Sequence, residues 1–389
     1  MGPRGRIYLV KSWRQGVIPL ADDVVHSLDT CLGCRACETA CPSGVEYGMI
    51  LEMARSEIEK QGKRPKSQSF ARLQLLETLT NPGRMATSLK AAGLLSGLTK
   101  GKMPGFAAKL LSGSDDAAIS LPVAQGAVKV HTIAERSPAK GAKRHTVGIL
   151  AGCVMRVLFG ETNAATVRVL QENGCEVLAP KAAGCCGAFH LHSGFEAESV
   201  SRIKALIDVF EPHLAGMDAI VVNSAGCGST MKEYGAILSD DPAYRDKAKA
   251  FSAKVRDVSE WLGEIGITPP KGRIDATVSY HDACHLAHGQ KVRLQPRQLL
   301  EQIPGVKLVE MEESDTCCGS AGTYNITEPE MAKRLLDRKI GNLRATGASI
   351  IATGNPGCLA WIQQGAKEAG LSVRICHPME LLDEAYRKG

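Results

Sequence analysis

Two adjacent cysteines followed by glycine occur twice in the chain, as Cys185-Cys186-Gly187 and Cys317-Cys318-Gly319. Upstream of each, an apolar run ends in a single cysteine: Thr146-Val-Gly-Ile-Leu-Ala-Gly-Cys153 and Thr277-Val-Ser-Tyr-His-Asp-Ala-Cys284. Downstream, another does the same, at Cys227 and Cys358. The three landmarks are separated between copies by 131, 132 and 131 residues. A register this constant marks an internal duplication, so the fold must contain two related units.

Around these landmarks the pattern alternates extended and helical segments. Thr146 opens a strand, Ala164–Asn173 is helical with Gly174 as a left-handed stop, and Glu176-Val-Leu resumes an extended run. In the second copy Arg297–Ile303 is the helix, Pro304-Gly305 the stop and Val306–Glu310 the strand. Longer helices are expected at 196–211 and 328–345. Alternation of this kind implies parallel βαβ units. In open α/β sheets sites form beyond the C-terminal ends of the strands, and Cys153, Cys227, Cys284 and Cys358 all fall there.

The N-terminal part reads differently. Residues 6–17, about 45–60 and 66–80 have helical periodicity, and between the first two stands Cys31-Leu-Gly-Cys34-Arg-Ala-Cys37-Glu-Thr-Ala-Cys41-Pro42. C-x2-C-x2-C-x3-C-P is the spacing with which thiolates grip a 4Fe–4S cluster. Zinc is the rival, but its sites pair two separated C-x2-C elements. In two-cluster ferredoxins the fourth cysteine of such a run serves the other cluster. Cys41 then lacks the partners a second motif supplies, unless the four close one site by local rearrangement.

The chain has fourteen cysteines in 389 residues and no secretory signal at its start, which points to thiolate ligands in a reducing compartment. No apolar run reaches the ~18 residues of a membrane span. Charge is uneven: residues 60–145 hold fifteen Lys or Arg against four Asp or Glu in a chain of net +6. Breakers such as Asn81-Pro-Gly and Ser112-Gly-Ser mark this stretch as a basic linker with a short helix near 105–112. Few aromatics interleave with the charges, which argues against nucleic acid and for a solvated face, an acidic partner or a membrane surface. No G-x-G-x-x-G follows a strand and no P-loop is present, so the chain is not expected to oxidise a substrate itself.

The run Pro3-Arg-Gly-Arg-Ile-Tyr-Leu-Val, the motif from Cys31 to Val45, the CysCysGly units and Tyr280-His-Asp-Ala-Cys-His-Leu-Ala-His-Gly-Gln290 together resemble the glycolate oxidase iron–sulfur subunit family over essentially the whole chain. That family is related to lactate-utilisation, anaerobic glycerol-3-phosphate dehydrogenase and heterodisulfide reductase subunits. The resemblance implies an α/β chain: a small all-α ferredoxin-like domain (1–80), a basic linker (81–145) and two duplicated cysteine-rich units (146–270 and 271–389). It implies one or two 4Fe–4S clusters, with Cys31, Cys34, Cys37 and Cys41 as ligands, and electron transfer from a partner subunit. On its FAD that partner oxidises glycolate to glyoxylate. The acceptor implied is a membrane one such as quinone, and the location cytoplasmic with peripheral contact at the inner face of the membrane.

Family members begin with a first ferredoxin motif upstream of the Pro-Arg-Gly-Arg stretch, so the resemblance also implies a truncated member. In the duplicated units Cys153, Cys185, Cys186 and Cys227, then Cys284, Cys317, Cys318 and Cys358, are further candidate metal ligands. The fuller form of the motif in heterodisulfide reductase ends in C-x2-C, but here the last cysteine is Thr230 in one copy and Trp361 in the other. That loss argues against the alternative of a disulfide-cleaving catalytic subunit. His281, His285 and His288 are candidates for bonding cluster sulfurs or ligating metal, Asp282 for fixing the turn, and Cys175 and Cys376 for simple core residues.

Overall fold

The computed structural model describes residues 1–99, 111 and 128–389; the short helix expected near 105–112 lies outside the described residues except for Leu111. The N-terminal described stretch is helical throughout: Pro3–Arg14, Asp22–Asp29, Ala36–Thr39, Tyr47–Lys60, Lys66–Thr80 and Pro82–Thr99. Pro3 sits at the first helical turn, where its missing N–H costs nothing, so this helix starts three residues before the expected bound. Leu28, Leu51, Ala54 and Ile58 close a small core of their own, with Cys31 and Cys37 packed at its edge.

Pro82–Thr99 differs from the loose pattern expected there. Asn81-Pro-Gly, a breaker by its residue types, is a helix start: the Asn81 side-chain oxygen accepts from the Arg84 backbone N–H at 3.0 Å, and Pro82 occupies the first position. The same residues that end one helix therefore begin the next.

Two parallel sheets follow. The first contains β1 (Arg136–Ser137), β2 (His145–Ile149), β3 (Cys175–Leu178), β4 (Ala219–Val222) and β5 (Val255–Asp257), in the order β1-β3-β2-β4-β5. The second contains β6 (Ala276–Tyr280), β7 (Val306–Val309), β8 (Ile350–Ala352) and β9 (Arg374–Cys376), in the order β7-β6-β8-β9. The four-strand orders match one for one, and all pairs are parallel except β1 with β3. The duplication in sequence is thus a duplication of topology. In both sheets the strand order reverses beside the first strand (β2 or β6), which opens a crevice at the C-terminal edge.

The two sheets share one hydrophobic core. Val147, Ile149 and Val221 from the first pack in the same cluster as Val278, Tyr280 and Ala352 from the second, with Cys175 and Cys376 buried among them. Helices are exchanged reciprocally across it. Val258–Ile265, which follows β5, packs on Leu294–Glu301 of the second unit; Pro378–Lys388, which follows β9, packs on Gly160–Glu172 of the first. Both exchanged helices open with a capping box, Asp257 with Glu260 and His377 with Glu380. Across the second contact Arg168 holds the buried Asp383 carboxylate through two bonds of 2.7 and 2.8 Å.

Gly187 and Gly319 follow the paired cysteines at φ +83° and +93°, in the left-handed region. A Cβ on Gly319 would sit 2.6 Å from the Ala332 carbonyl oxygen, on helix Pro329–Ala345; one on Gly187 would meet the Ser199 side chain at 2.9 Å. Only glycine lets the chain turn there with a helix so near. Gly319→Ala is expected to cost about 1–3 kcal/mol from the backbone conformation alone. A thermal unfolding midpoint unchanged from wild type, followed by circular dichroism, would contradict this.

Candidate functional site

The Cys31–Cys41 loop is shaped by two left-handed residues, Gly33 at φ +63° and Arg35 at φ +62°. Arg35 tolerates that conformation because its guanidinium is held at both ends, by Glu38 at 2.9 Å and by Glu233 and Ser229 of the first unit. The turn brings Cys31, Cys34 and Cys37 within each other's electrostatic reach. Burial raises the Cys34 thiol to about 11, and the charges of Cys284 and Cys31 add to that; burial and then Cys34 raise Cys37. A cation placed among the three relieves both effects.

Cys41 stands differently. The groups that act on it are the backbone N–H groups of Val45, Ser43 and Gly44, which lower its thiol, and the charge of Arg4. Such a ring of N–H donors suits a thiolate sulfur. The structure thus groups three of the four motif cysteines and gives the fourth its own surroundings.

In the duplicated units the single cysteines lie past the strands, on the helices that follow them. Cys153 opens helix Cys153–Leu158, Cys227 lies in Ala225–Lys232, Cys358 in Pro356–Glu368, and Cys284 precedes a π-turn at His285–Gly289. Helix N-termini favour anionic sulfur, an advantage that a position at the strand end itself would lack. The paired cysteines complete each group. In the first unit Cys153 Sγ lies 3.8 Å from Cys185 Sγ, and Cys186 bonds to Cys227. In the second, contacts run Cys284–Cys317–Cys318–Cys358. Gly187 and Gly319 each donate their N–H to the sulfur two residues back, at 3.5 and 3.4 Å.

The thiols titrate one another. Cys153, donating to Cys185 and buried, is pushed up, while Cys185, accepting from Cys153, Cys186 and the Gly187 N–H, is pushed down. Cys284 is likewise pushed up by its bond to Cys317 and by burial.

The histidines after β6 divide in role. His281 is fully buried, and burial with the nearby Lys339 charge lowers it to about 3. His285 donates through Nε2 to the Gly33 carbonyl at 3.1 Å and is lowered to about 3 by burial. His288 meets Thr39 at 3.0 Å and the Asp315 carbonyl at 3.1 Å. Asp282 takes a paired bond from Arg297 at 2.8 and 2.7 Å, which fixes the turn before Cys284.

These contacts place the N-terminal motif directly against the second unit. A cavity of about 570 Å³ lies between them, lined by Cys31 on one side and by Cys284, Cys317, Cys318 and Cys358 on the other, with Cys227 of the first unit also on its wall. Arg55 spans the boundary with the first unit: its guanidinium donates to the carbonyls of Leu28, Cys31 and His192 at 3.2, 2.7 and 2.9 Å. Neither Arg35 nor Arg55 has a local sequence signal, because their partners lie up to 198 residues away. Arg55→Ala removes a donor shared by four part-buried carbonyls, that of Asp29 at 3.4 Å being the fourth. Hydrogen exchange of residues 28–41 is expected to rise, by an opening cost lowered about 1–3 kcal/mol; unchanged exchange there would refute the clamp.

The chain matches the cysteine-rich domain family, CCG, over residues 147–232 and again over 278–363. It is 38% identical over 391 residues to the probable glycolate oxidase iron-sulfur subunit of Bacillus subtilis, covering 98% of this chain and 88% of that protein. It is 34% identical over 393 residues to the glycolate oxidase iron-sulfur subunit of Escherichia coli, covering 100% and 88%. Lactate utilization protein A of an Exiguobacterium matches more narrowly, at 28% identity over 62% of this chain and 98% of that protein. With a duplicated fold, a cysteine loop docked on it, and two relatives of this identity along its whole length, the chain belongs to the glycolate oxidase iron–sulfur subunit family.

Proposed function

We propose that the chain is the iron–sulfur electron-transfer subunit of an oxidoreductase complex that oxidises glycolate. On this reading a partner subunit carrying FAD converts glycolate to glyoxylate, releasing two electrons and two protons. The electrons leave through this chain to a membrane acceptor such as a quinone. The observation that carries the reading is the docking of the Cys31–Cys41 loop on the second unit: Cys34 feels the charge of Cys284, and His285 bonds the Gly33 carbonyl at 3.1 Å. One centre beside another within a single packed interface is what a relay requires.

The donor set fits an iron–sulfur group. Thiolates in this spacing hold a 4Fe–4S cluster, which when bound supplies one-electron redox chemistry. The chain's own residues do the rest. Cys31, Cys34 and Cys37 offer grouped sulfurs, and the N–H groups of Ser43 to Val45 steady Cys41. Arg35 fixes the loop by its ion pair with Glu233, and His285 couples the loop to Cys284. Cys284, Cys317, Cys318 and Cys358 come next along the path, and Cys153, Cys185, Cys186 and Cys227 are their counterparts in the first unit.

Residues 1–80 then act as a ferredoxin-type domain and 81–145 as a basic connection, before units at 146–270 and 271–389. No helix among the described residues is long and apolar enough to cross a membrane. The basic excess of 60–145 suits contact with an anionic membrane face or an acidic partner, and the chain works at the cytoplasmic side.

The test is anaerobic co-purification with a flavin subunit, followed by glycolate-driven reduction of a quinone analogue. Wild type is expected to couple the two. Cys34→Ser is expected to lose the iron and EPR signal of the motif and at least ~100-fold of the quinone reduction, while glycolate oxidation with a dye acceptor persists on the flavin subunit. Full quinone reduction in Cys34→Ser, or failure to bind any flavoprotein, would overturn the reading.

A further inference from the structure

The two cysteine-rich units are not equivalent, and the difference is concentrated at their thiols. In the second unit one ligand atom each of His281, Cys318 and Cys358 lies within 4.8 Å of the other two, and all three residues are buried. Among the described residues no other three His, Cys, Asp or Glu donors come this close. One tetrahedral ion with bonds of ~2.0–2.3 Å sets its ligands about 3.3–3.8 Å apart, so the group needs only a small contraction to close on one. Cys317 touches Cys318 and stands next in line for a fourth position.

His281 itself has no structural employment. It is 0% exposed, yet neither Nδ1 nor Nε2 has a partner that meets hydrogen-bond geometry, although the Ser314 backbone lies alongside. Burying an imidazole without a partner is costly, and a side chain that serves only packing would be replaced by an apolar one. The first unit shows that replacement. The residue 131 positions before His281 is Leu150, which packs at 1% exposure in the apolar cluster around Cys153, Cys185 and Cys186.

A second exchange goes the same way. Lys339 is 2% exposed on helix Pro329–Ala345, and its charge reaches Cys318, Cys317 and Cys358. Its ammonium donates to the Glu313 and Ser314 carbonyls. The residues 132 and 133 positions before it are Ile207 and Leu206, both buried in the same apolar cluster. A buried cation beside thiols favours their anionic form. In the first unit His190, whose charge reaches Cys185, is tied through Nε2 to Glu77 at 3.2 Å, and among the described residues no such three-donor group forms there.

We propose that the second unit, and not the first, is a mixed thiolate–imidazole metal site in which His281, Cys318 and Cys358 bind one borderline-soft divalent cation, zinc or ferrous iron. Binding expels the thiol protons of Cys318 and Cys358 to solvent and none from the neutral imidazole. Two thiolates and a divalent ion sum to zero charge, and the Lys339 ammonium adds positive charge beside them. The first unit keeps its four thiols as packed side chains that hold no metal. Cys318 and Cys358 line the cavity opposite Cys31, so whatever enters that space lies between the motif and the ion.

The experiment measures iron, sulfide and zinc in the full chain purified anaerobically, in a Cys34→Ser background that removes the motif's metal from the count. This keeps the result independent of electron transfer to any partner. One equivalent of metal is expected to remain, to fall at least tenfold with His281→Leu or Cys318→Ser, and to survive Cys186→Ser. His281→Cys, which substitutes a thiolate donor, is expected to retain it, and the cobalt-loaded His281→Cys protein to show an added sulfur-to-metal band. Zinc without sulfide identifies the cation as zinc, iron without sulfide as ferrous iron. Circular dichroism of each variant separates ligand loss from misfolding. Metal undiminished in folded His281→Leu, metal lost from folded Cys186→Ser as readily as from Cys318→Ser, or no metal beyond the motif's would each overturn the assignment.

Discussion

Everything in this chain depends on where a parallel sheet leaves its ends. With β3 and β4 flanking β2, and β7 and β8 flanking β6, the connections after all three strands emerge at one edge of each sheet. Each connection carries a cysteine, and the middle one carries two. The thiols therefore converge without long reaches of side chain, and helix N-termini meet them there. Glycine at φ near +90° lets the paired cysteines turn beneath a helix that a Cβ would strike. The sulfurs are gathered by topology first and tuned by hydrogen bonds afterwards.

The N-terminal helices add a second layer of order by docking a cysteine loop onto that edge. Apolar packing seats helix Pro82–Thr99 on the first unit, through Met85, Ala86 and Val157, but the cysteine loop is not held that way, since the core beside it closes internally. Part-buried polar clamps do it instead: Arg55 on four carbonyls, Arg35 on Glu233, His285 on Gly33. Such contacts are directional, so they set the position of the loop rather than merely holding two bodies together.

The duplicated architecture was legible because a constant spacing of landmarks survives even where the residues between them diverge, and because Gly174 and Gly305 punctuate helix and strand at matching points. The thiol groups followed from the same spacing. Three things were not legible locally. Asn81-Pro-Gly signals a stop and a start equally well, and only the packed structure shows the start at Pro82. The clamps join residues far apart in sequence, so no periodicity announces them. Cys41 belongs to the motif by spacing but takes its hydrogen bonds from Ser43 to Val45, a turn too short to have a pattern. The histidine opposite Leu150 was visible all along, to anyone who laid one copy over the other and asked where a polar group had no counterpart.

The reciprocal exchange of helices has a consequence for how such a chain can change. Helix Pro378–Lys388 rests on the first unit as helix Val258–Ile265 rests on the second, which is the pattern of an isologous pair of identical protomers. In such a pair any substitution appears twice, at both symmetry-related places. Joining the protomers in one chain lifts that restriction: each half can acquire a residue the other never receives. A single covalent link thereby converts symmetry into division of labour, one half free to hold reactive groups while its twin serves as scaffold.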